Sequence, residues 1–373
     1  MKIALVHDQL AEFGGAERVL IAMKKAFPDA SVYTSFIDFE RLGKHGDLFK
    51  SWKIHESFIG KLPFFNKLYS PLRFLLPAIW SSFDLSDFDI VLCSSSWGMC
   101  KGVSLKKNNK TKYLCYLHTP PRYLYGYDES SLKKYWPVKV YALVVNHFLR
   151  QYDYKSSQTI DEFIFNSEEI KRRSLKFYRK DGLILHPPIR TSGQLTVNSE
   201  QLKKEYYLTV SRLAPTKHID LLIQVANEMK ISLKIVGTGN QEKYLKSIAG
   251  STVEFLGAVS DEKLSDLYAN AKAFLYASLN EDFGMVPVEA MLQGTPVIAL
   301  SSGGVKETVI DGKTGFTFEE LNVESVLSVI KRFETLSGDE ILTIKKNALD
   351  FALSCSEENF INTLRKFVID NNS

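Results

Sequence analysis

The 373-residue sequence has few cysteines and no long apolar segment. Its cysteines form no C-x-x-C pair and no zinc-binding spacing, which favours a reduced cytosolic protein. No stretch approaches the roughly 18 uncharged apolar residues of a membrane span. The residues from Met1 to Asp8 become polar too early for a signal peptide. We therefore expect a cytoplasmic location. The four cysteines are Cys93, Cys100, Cys115 and Cys355.

Neither sign of charge is scarce overall, but the two signs are unevenly distributed. The formal net charge is +4. Residues 1–187 hold 28 lysines and arginines against 19 aspartates and glutamates, whereas the remainder holds 19 against 24. The first half is therefore basic and the second half acidic. Either the first half meets an anionic partner, or the two halves simply have differently solvated surfaces.

Apolar runs alternate with helical patterns along the chain, which predicts an α/β protein with buried parallel strands in the first half and a doubly wound domain in the second. A polar stretch from His186 to Lys204 lacks periodicity and is predicted to be the linker. We expect domains at 1–187 and 205–354, and a last helix within about 355–373. The predicted strands are Ile3–Val6, Ser31–Phe36, Asp89–Ser94, Lys112–Leu117 and Phe163–Asn166, then Tyr206–Val210, Leu233–Val236, Val253–Leu256, Ala273–Ala277 and Pro296–Leu300.

The stretch from Ser278 to Gly315 contains the densest group of candidate site residues. Pro287 requires a helix to begin between Gly284 and Pro287, since proline is tolerated only in the first helical turn. The N–H groups around Phe283, Gly284, Met285 and Val286 would then attract a phosphate. Glu281 and Glu289 flank this anion site, and carboxylates accept hydrogen bonds from hydroxyls. Together these features predict a site for a sugar nucleotide.

Three further positions lie where parallel strands end and ligands commonly bind. Gly14 and Gly15 form a loop between the first strand and the first helix, either to approach a ligand or only to make a tight turn. The loop is not G-x-G-x-x-G, so a dinucleotide site is disfavoured. His118 directly follows a buried strand, and Gly237 closes another. A histidine in this position is suited to chemistry.

Two segments of the first half leave their role open. Residues 58–83 interleave aromatics with Lys61, Lys67 and Arg73, as at a membrane interface or simply in a core. The helix after residue 167 carries basic residues that either are solvated or meet an anionic surface. These are Lys171, Arg172, Arg173 and Lys176.

Several motifs resemble the GT-B glycosyltransferases of family 4. They are V-H-D-Q-L-A-E-F-G-G-A-E-R-V-L and L-C-Y-L-H-T-P-P-R-Y in the first half, and S-R-L-A-P-T-K, I-V-G-T-G and E-D-F-G-M-V-P-V-E-A in the second. Some of them resemble the bacterial mannosyltransferases that build surface polysaccharides such as O-antigen. The resemblance implies two Rossmann-like domains facing a cleft, with the acceptor on the first domain and the donor on the second. It also implies that the last helix returns to the first domain.

The resemblance further implies roles for individual residues. Arg212 and Lys217 match the pair that neutralises the donor diphosphate, Glu281 the residue on the donor sugar, and Glu289 the residue on the ribose. His118 matches a histidine beside the reacting carbon. The glycines at 14, 15 and 237 fall in the loops of the nucleotide site. No cofactor and no metal are expected, because fixed cations and a helix N-terminus take the place of a divalent ion.

The implied activity is retaining transfer of a hexose, mannose from GDP-mannose, to a lipid-linked glycan, with contact to the cytoplasmic membrane surface and none to nucleic acid. A UDP-sugar donor, a sugar-nucleotide epimerase and a non-catalytic binding subunit are alternatives. So is a hydrolase with paired carboxylates, although it would not need a diphosphate site. Two departures affect the donor pocket: His218 replaces the usual small residue, and Ala277 to Asn280 lack the usual proline.

Overall fold

The computed structural model describes residues 1–61, 69–106, 108, 110–127, 135–189 and 204–371. The chain divides into two compact units. The first comprises Met1–Pro188 with Glu357–Ser373, and the second Ile189–Ser356. Most of the predicted linker lies outside the described residues.

The first unit contains a seven-stranded parallel sheet in the order β3-β2-β1-β4-β5-β6-β7. Ala4 and Val6 of β1 enter one core and Ile3 and Leu5 enter the other, on opposite faces of this sheet, so these four residues are all apolar. The strands are β1 Ile3–His7, β2 Ser31–Thr34, β3 Ile54–Glu56, β4 Ile90–Ser95, β5 Lys112–Leu117, β6 Glu162–Phe165 and β7 Gly182–Ile184.

Six α-helices of the first unit precede the linker among the described residues. They are α1 Gly15–Ala26, α2 Phe39–Leu42, α3 Leu76–Ser81, α4 Arg122–Tyr125, α5 Trp136–Thr159 and α6 Glu168–Phe177. Short 3₁₀ helices lie at Gly43–Leu48, Phe58–Lys61, Arg73–Leu75 and Cys100–Lys106.

The second unit contains a six-stranded parallel sheet in the order β10-β9-β8-β11-β12-β13. Its strands are β8 Tyr206–Val210, β9 Ser232–Val236, β10 Val253–Gly257, β11 Ala273–Tyr276, β12 Val297–Leu300 and β13 Phe316–Phe318. Its helices are α7 Ile219–Met229, α8 Glu242–Ile248, α9 Asp261–Asn270, α10 Met285–Leu292, α11 Val305–Thr308, α12 Val323–Glu334 and α13 Gly338–Ser354, with a 3₁₀ turn at Pro215–Lys217.

The last helix, α14 Glu357–Asp370, belongs to the first unit. Phe360, Leu364 and Val368 recur at intervals of four residues and enter the core beside α1. Arg365 donates from Nε to the carbonyl of Ala26 at 2.9 Å, and this bond fixes the position of α14 on α1.

All ten predicted strands are present, and those at Lys112–Leu117 and Tyr206–Val210 have the predicted bounds. The strands β3, β7 and β13 were not predicted, because they are three-residue strands at sheet edges and too short to show a periodicity. The helix α5 was not predicted either, because its buried residues are mostly polar and many of its large apolar residues are exposed, the reverse of the usual amphipathic pattern.

The structure settles part of what the sequence left open for residues 58–83. Ile59, Ile79 and Trp80 are buried in the first-unit core, so much of the described segment is core, although Phe58 and Phe74 are exposed. Residues 62–68, including Lys67, lie outside the described residues.

The prediction that all four basic residues of α6 lie at the surface, whether solvated or against an anionic partner, is wrong for Arg173. That residue is buried, its Nε donates to Glu169 at 2.8 Å, and its guanidinium lies 4.3 Å from the ring centroid of Tyr127. It therefore serves the packing of α6.

Among the described residues, no helix is long and apolar enough to cross a membrane.

Candidate active site

In the second unit, the predicted site residues follow strands that flank the point where the strand order reverses. Lys217 follows β8 and Glu281 follows β11, and these two strands are neighbours at the centre of the sheet. Chain connections leave the two strands towards opposite sides, which opens a crevice at their carboxyl ends. The topology therefore places both side chains where an open α/β sheet binds its ligands.

Lys217 and Glu281 form an ion pair in this crevice. The Lys217 ammonium also donates to Ser278 Oγ at 3.0 Å. Glu281 Oε1 accepts from Tyr276 OH at 2.7 Å and from Ser278 Oγ at 2.6 Å. About a fifth of each charged side chain is exposed, 22% for Lys217 and 16% for Glu281. The carboxylate is thus held by three donors and still faces solvent.

Glu281 is ionised despite its burial. Burial acts to raise its pKa, but the Lys217 charge and the hydrogen bonds from Lys217, Ser278 and Tyr276 outweigh it and lower the pKa to about 2. Burial, followed by the Glu281 charge, raises the pKa of Tyr276 well above its usual value. Tyr276 therefore remains a hydrogen-bond donor to Glu281 at neutral pH. Neither Tyr276 nor Ser278 was predicted as a site residue from the sequence, although both lie where β11 ends.

Two glycines fix the backbone that carries Glu281. A Cβ on Gly303 would lie 2.2 Å from the Glu281 carbonyl oxygen, and one on Gly304 would lie 2.3 Å from that of Asp282. The Gly304 N–H donates to the Glu281 carbonyl at 2.8 Å. The small-residue loop after β12 therefore supports the site residue of the neighbouring strand.

The helix predicted to begin between Gly284 and Pro287 begins at Met285. Gly284 is its cap residue, with φ of 86°, and has no side chain to accept from the first-turn N–H groups. Phe283 is buried, whereas Met285 and Val286 are half-buried in the first turn. The N-terminus of α10 thus lies shortly after Glu281 in the chain. Glu289 is half-buried and lies one helical turn after Met285.

The loop after β8 holds Arg212, which is exposed. This loop rests against Gly237, where φ is +126° and a Cβ would lie 1.9 Å from the Ser211 carbonyl oxygen. Close backbone approach is therefore the structural reason for glycine at 237. His218, the departure noted in the sequence, adopts a left-handed conformation with φ of 46°, and its Nε2 atom is buried without a hydrogen-bond partner.

In the first unit, His118 is the end of a chain of polar groups at the carboxyl ends of β1, β4 and β5. Its Nε2 lies 2.8 Å from Ser94 Oγ, and the same oxygen lies 3.0 Å from His7 Nδ1. His7 Nε2 lies 3.6 Å from Glu17 Oε1, and Glu17 Oε2 accepts from the Gly14 N–H at 2.8 Å. All four of these side chains are buried.

The carboxylate of Glu17 determines which groups donate and which accept in this series of hydrogen bonds. A proton on His7 Nε2 is favoured because it faces the negative charge, so His7 Nδ1 then accepts from the Ser94 hydroxyl. Ser94 Oγ in turn accepts from His118 Nε2, which leaves the lone pair of His118 on Nδ1. Burial, reinforced by His7 and opposed by Asp8, lowers the pKa of His118 to about 3, so the ring is neutral at pH 7.

His118, Gly14 and Gly15 were predicted from the sequence, whereas His7, Ser94 and Glu17 were not. The loop residues Gly14 and Gly15 are exposed, and Gly14 has φ of −151°, which any residue can adopt. The observable signal was positional, since His7 directly follows one predicted strand and Ser94 is the last residue of another.

Two family models match the chain. Residues 13–192 match "Glycosyltransferase Family 4" and residues 194–349 match "Glycosyl transferases group 1". The chain belongs to the GT-B glycosyltransferases of group 1 and family 4. This membership agrees with the two parallel-sheet units and with the motifs in both halves.

Individual relatives are distant. The alpha-1,3/1,6-mannosyltransferase ALG2 of Candida glabrata is 24% identical over 83% of this chain and 78% of its own length. An uncharacterized glycosyltransferase of Methanocaldococcus jannaschii is 28% identical over 60% of this chain, which spans 64% of that protein. The crystal structure of Anabaena HepE with UDP and glucose superposes with a TM-score of 0.70 at 18% identity, covering 99% of this chain and all of that one. A likeness at this identity shows the fold.

Proposed function

We propose that the protein is a retaining hexosyltransferase that moves mannose from GDP-mannose to a lipid-linked glycan in bacterial surface polysaccharide synthesis. The observation that carries the proposal is the Lys217–Glu281 pair at the topological switch point, beside the N-terminus of α10. A cation for phosphate, an ionised carboxylate for hydroxyls and a helix N-terminus are the groups that a sugar nucleotide requires.

In the proposed reaction, the bond between the anomeric carbon and the diphosphate breaks, and the acceptor oxygen bonds to the same face of that carbon. The acceptor proton passes to the departing diphosphate oxygen. Negative charge grows on the diphosphate, where Lys217, Arg212 and the first-turn N–H groups of α10 stabilise it. These fixed charges serve without a metal ion.

The two glutamates have different roles in this scheme. Glu281 accepts hydrogen bonds from hydroxyls of the transferred sugar, and its low pKa keeps it an acceptor across the physiological range. Glu289 accepts from the ribose hydroxyls. Tyr276 and Ser278 position Glu281 rather than touch the substrate.

In the first unit, His118 serves as a neutral hydrogen-bonding group beside the reacting sugar. Its tautomer follows from Glu17, through His7 and Ser94, which are positioning residues. Glu17 also accepts from the Gly14 N–H, so the same carboxylate orients the glycine loop.

The choice of mannose is supported by relatives named as mannosyltransferases, at about 25% identity. A UDP-sugar donor is the second candidate, because Anabaena HepE was crystallised with UDP-glucose. These two donors differ in the ring of the base and in the hydroxyl groups of the sugar, so the protein must distinguish them through its contacts with those groups.

The test is an assay of nucleoside diphosphate release from a panel of nucleotide sugars, with and without a lipid-linked acceptor. We expect acceptor-dependent release from GDP-mannose and a product with the donor's anomeric configuration. Release from UDP-sugars only would replace the donor. Interconversion of sugars without release would indicate an epimerase, and binding without turnover a non-catalytic subunit.

A further inference from the structure

The loop that follows β4 is held by the carboxylate of Asp8, which is buried. Asp8 Oδ2 accepts from the Ser96 N–H at 2.7 Å, from Ser96 Oγ at 2.9 Å and from the Gly98 N–H at 2.9 Å. Its Oδ1 accepts from the Cys100 N–H at 2.8 Å. Because these four donors lie on both sides of Trp97, the single carboxylate fixes the backbone that carries the indole.

Trp97 lies at the carboxyl edge of the first-unit sheet. It follows shortly after Ser94, whose hydroxyl contacts His118, so it lies on the same edge as His118. The indole is half-buried, and its N–H has no hydrogen-bond partner in the described part of the chain. Its ring centroid is 5.2 Å from that of Tyr69 and 5.6 Å from that of Tyr123, which pack against it. Trp97 is therefore a fixed aromatic surface at the edge where a parallel sheet binds its ligands.

Hydrogen-bonding groups surround this indole. A cavity of about 10 Å³, the size of one water molecule or hydroxyl group, lies beside Trp97 and is also lined by Gln9, Ser35 and Arg73. The Gln9 side-chain amide has no partner within the ranges that the structure describes. The Tyr123 hydroxyl oxygen is buried without a partner, and burial raises the pKa of this phenol well above its usual value, so it remains a neutral donor. An aromatic face beside such groups matches a pyranose ring, which has an apolar C–H face and a rim of hydroxyl groups.

We propose that Trp97 stacks against a sugar ring of the acceptor and that Asp8 is a positioning residue, which holds the indole in place. The proposal rests on the proposed function, because it takes a glycan as the acceptor and His118 as a group beside the reacting sugar. A hydrocarbon chain fits less well, since it would leave the Tyr123 hydroxyl and the Gln9 amide desolvated without hydrogen bonds. The base of the donor is also a flat ring, but the proposed donor site lies on the second unit.

The experiment is fluorine NMR of the full chain labelled with fluorotryptophan, in the absence of donor. The chain has four tryptophans, and the Trp97 resonance is the one missing from Trp97→Phe. The probes are the methyl glycosides of mannose, glucose, galactose and N-acetylglucosamine. We expect at least one of them to shift the Trp97 resonance in a saturable manner. The resonance of Trp136, which is 75% exposed, is the control for non-specific effects of sugar on an indole and is expected to stay unchanged. Mannitol, which has hydroxyl groups but no pyranose ring, is expected to shift neither resonance.

The role of Asp8 has a separate readout in the free protein. Asp8→Asn replaces one accepting oxygen with an amide nitrogen that cannot accept from the loop. We expect the Trp97 resonance to broaden and its response to glycoside to weaken, while an unchanged Trp52 resonance shows that the first unit is folded. Ser96→Ala removes only the hydroxyl bond to Asp8 and tests the same role with less risk to folding. A sharp Trp97 resonance with a full response to glycoside in both folded variants would remove the positioning role.

Three results would overturn the stacking proposal. They are no shift of the Trp97 resonance with any of the glycosides, an equal shift with mannitol, and an equal shift of the Trp136 resonance.

Turnover with the bound glycoside as acceptor separates this proposal from the proposed function. Trp97→Ala is expected to raise KM for the glycoside at least about tenfold and to leave KM for the donor unchanged, whereas Trp97→Phe keeps a flat ring and should retain most of the affinity. Trp136→Ala, the matched control, should behave as the unaltered chain. Turnover without a response of Trp97 refutes the stacking proposal alone. A glycoside response without turnover of any donor refutes the transferase assignment and leaves a sugar site at Trp97.

Discussion

Replacing Lys217 with methionine is expected to destabilise the second unit as well as to abolish transfer. The shift of the Glu281 pKa from 4.5 to about 2 corresponds to about 3 kcal/mol of net favourable interaction with the ionised carboxylate. Lys217 makes the largest favourable contribution. In its absence Glu281 keeps the hydrogen bonds from Tyr276 and Ser278, so we expect a loss of about 2 kcal/mol rather than the larger cost of an isolated buried charge.

The pH dependence of this effect has a definite sign. Because the folded-state pKa of Glu281 is lowered, its stabilising contribution is present above about pH 4.5 and is lost as the pH falls towards about 2. Without Lys217 the folded-state pKa rises. The free energy of unfolding of Lys217→Met should therefore fall less than that of the unaltered protein as the pH is lowered below about 4.5.

The decisive assay is a double-mutant cycle of Lys217→Met and Glu281→Gln, followed by hydrogen exchange of peptides from the second unit. Peptides from the first unit serve as the internal control. The double variant should recover most of the stability lost by Lys217→Met, since it no longer holds an uncompensated carboxylate. Equal destabilisation in the single and the double variant would refute the charge linkage. Release of nucleoside diphosphate should be lost in all three variants.

Four further outcomes follow from the geometry. Asp153→Asn leaves the fully buried Lys101 without its charge partner and should cost about 3–5 kcal/mol in chemical denaturation, whereas joint replacement by Lys101→Met and Asp153→Asn, which keeps an acceptor for the hydroxyls of Tyr125 and Tyr178, should restore much of it. The buried His118, with its pKa lowered to about 3, binds a proton more readily when unfolded, so it should remove about 2 kcal/mol of stability between pH 7 and pH 5, a loss absent from His118→Asn. Glu17→Gln should lower kcat more than it raises KM by disturbing the His118 tautomer, and an unchanged kcat would exclude that role. His218→Gly should raise the melting temperature by releasing about 1 kcal/mol of left-handed strain, and a lower one would show that the imidazole stabilises the fold.

Much of the donor site could be predicted from sequence because its elements are local. Pro287 limits where α10 begins, and glutamates at fixed distances from that start must lie beside its N-terminus. The position of His118 could also be predicted, since a residue that follows a buried strand must lie at the ligand-binding edge of a parallel sheet. The roles of these residues remain predictions until they are tested.

The contacts between elements could not be read from sequence. Tyr276 and Ser278 become donors to Glu281 only because the loop after β11 turns back over its own strand, held by Gly303 and Gly304. The His7, Ser94 and His118 chain depends on three strands that are adjacent in the sheet but far apart in sequence.

The sequence by itself therefore determined the α/β class, the ten longer strands and the residues at their ends, because apolar runs and helix-start signals act over short distances. The tertiary structure alone decided which charges are paired and which apolar residues are exposed. Arg173 looked like a surface cation and is buried, whereas Trp136, Leu143 and Phe148 look like core residues and are exposed. Burial depends on which faces meet when the chain packs, and no local pattern in α5 or α6 records that.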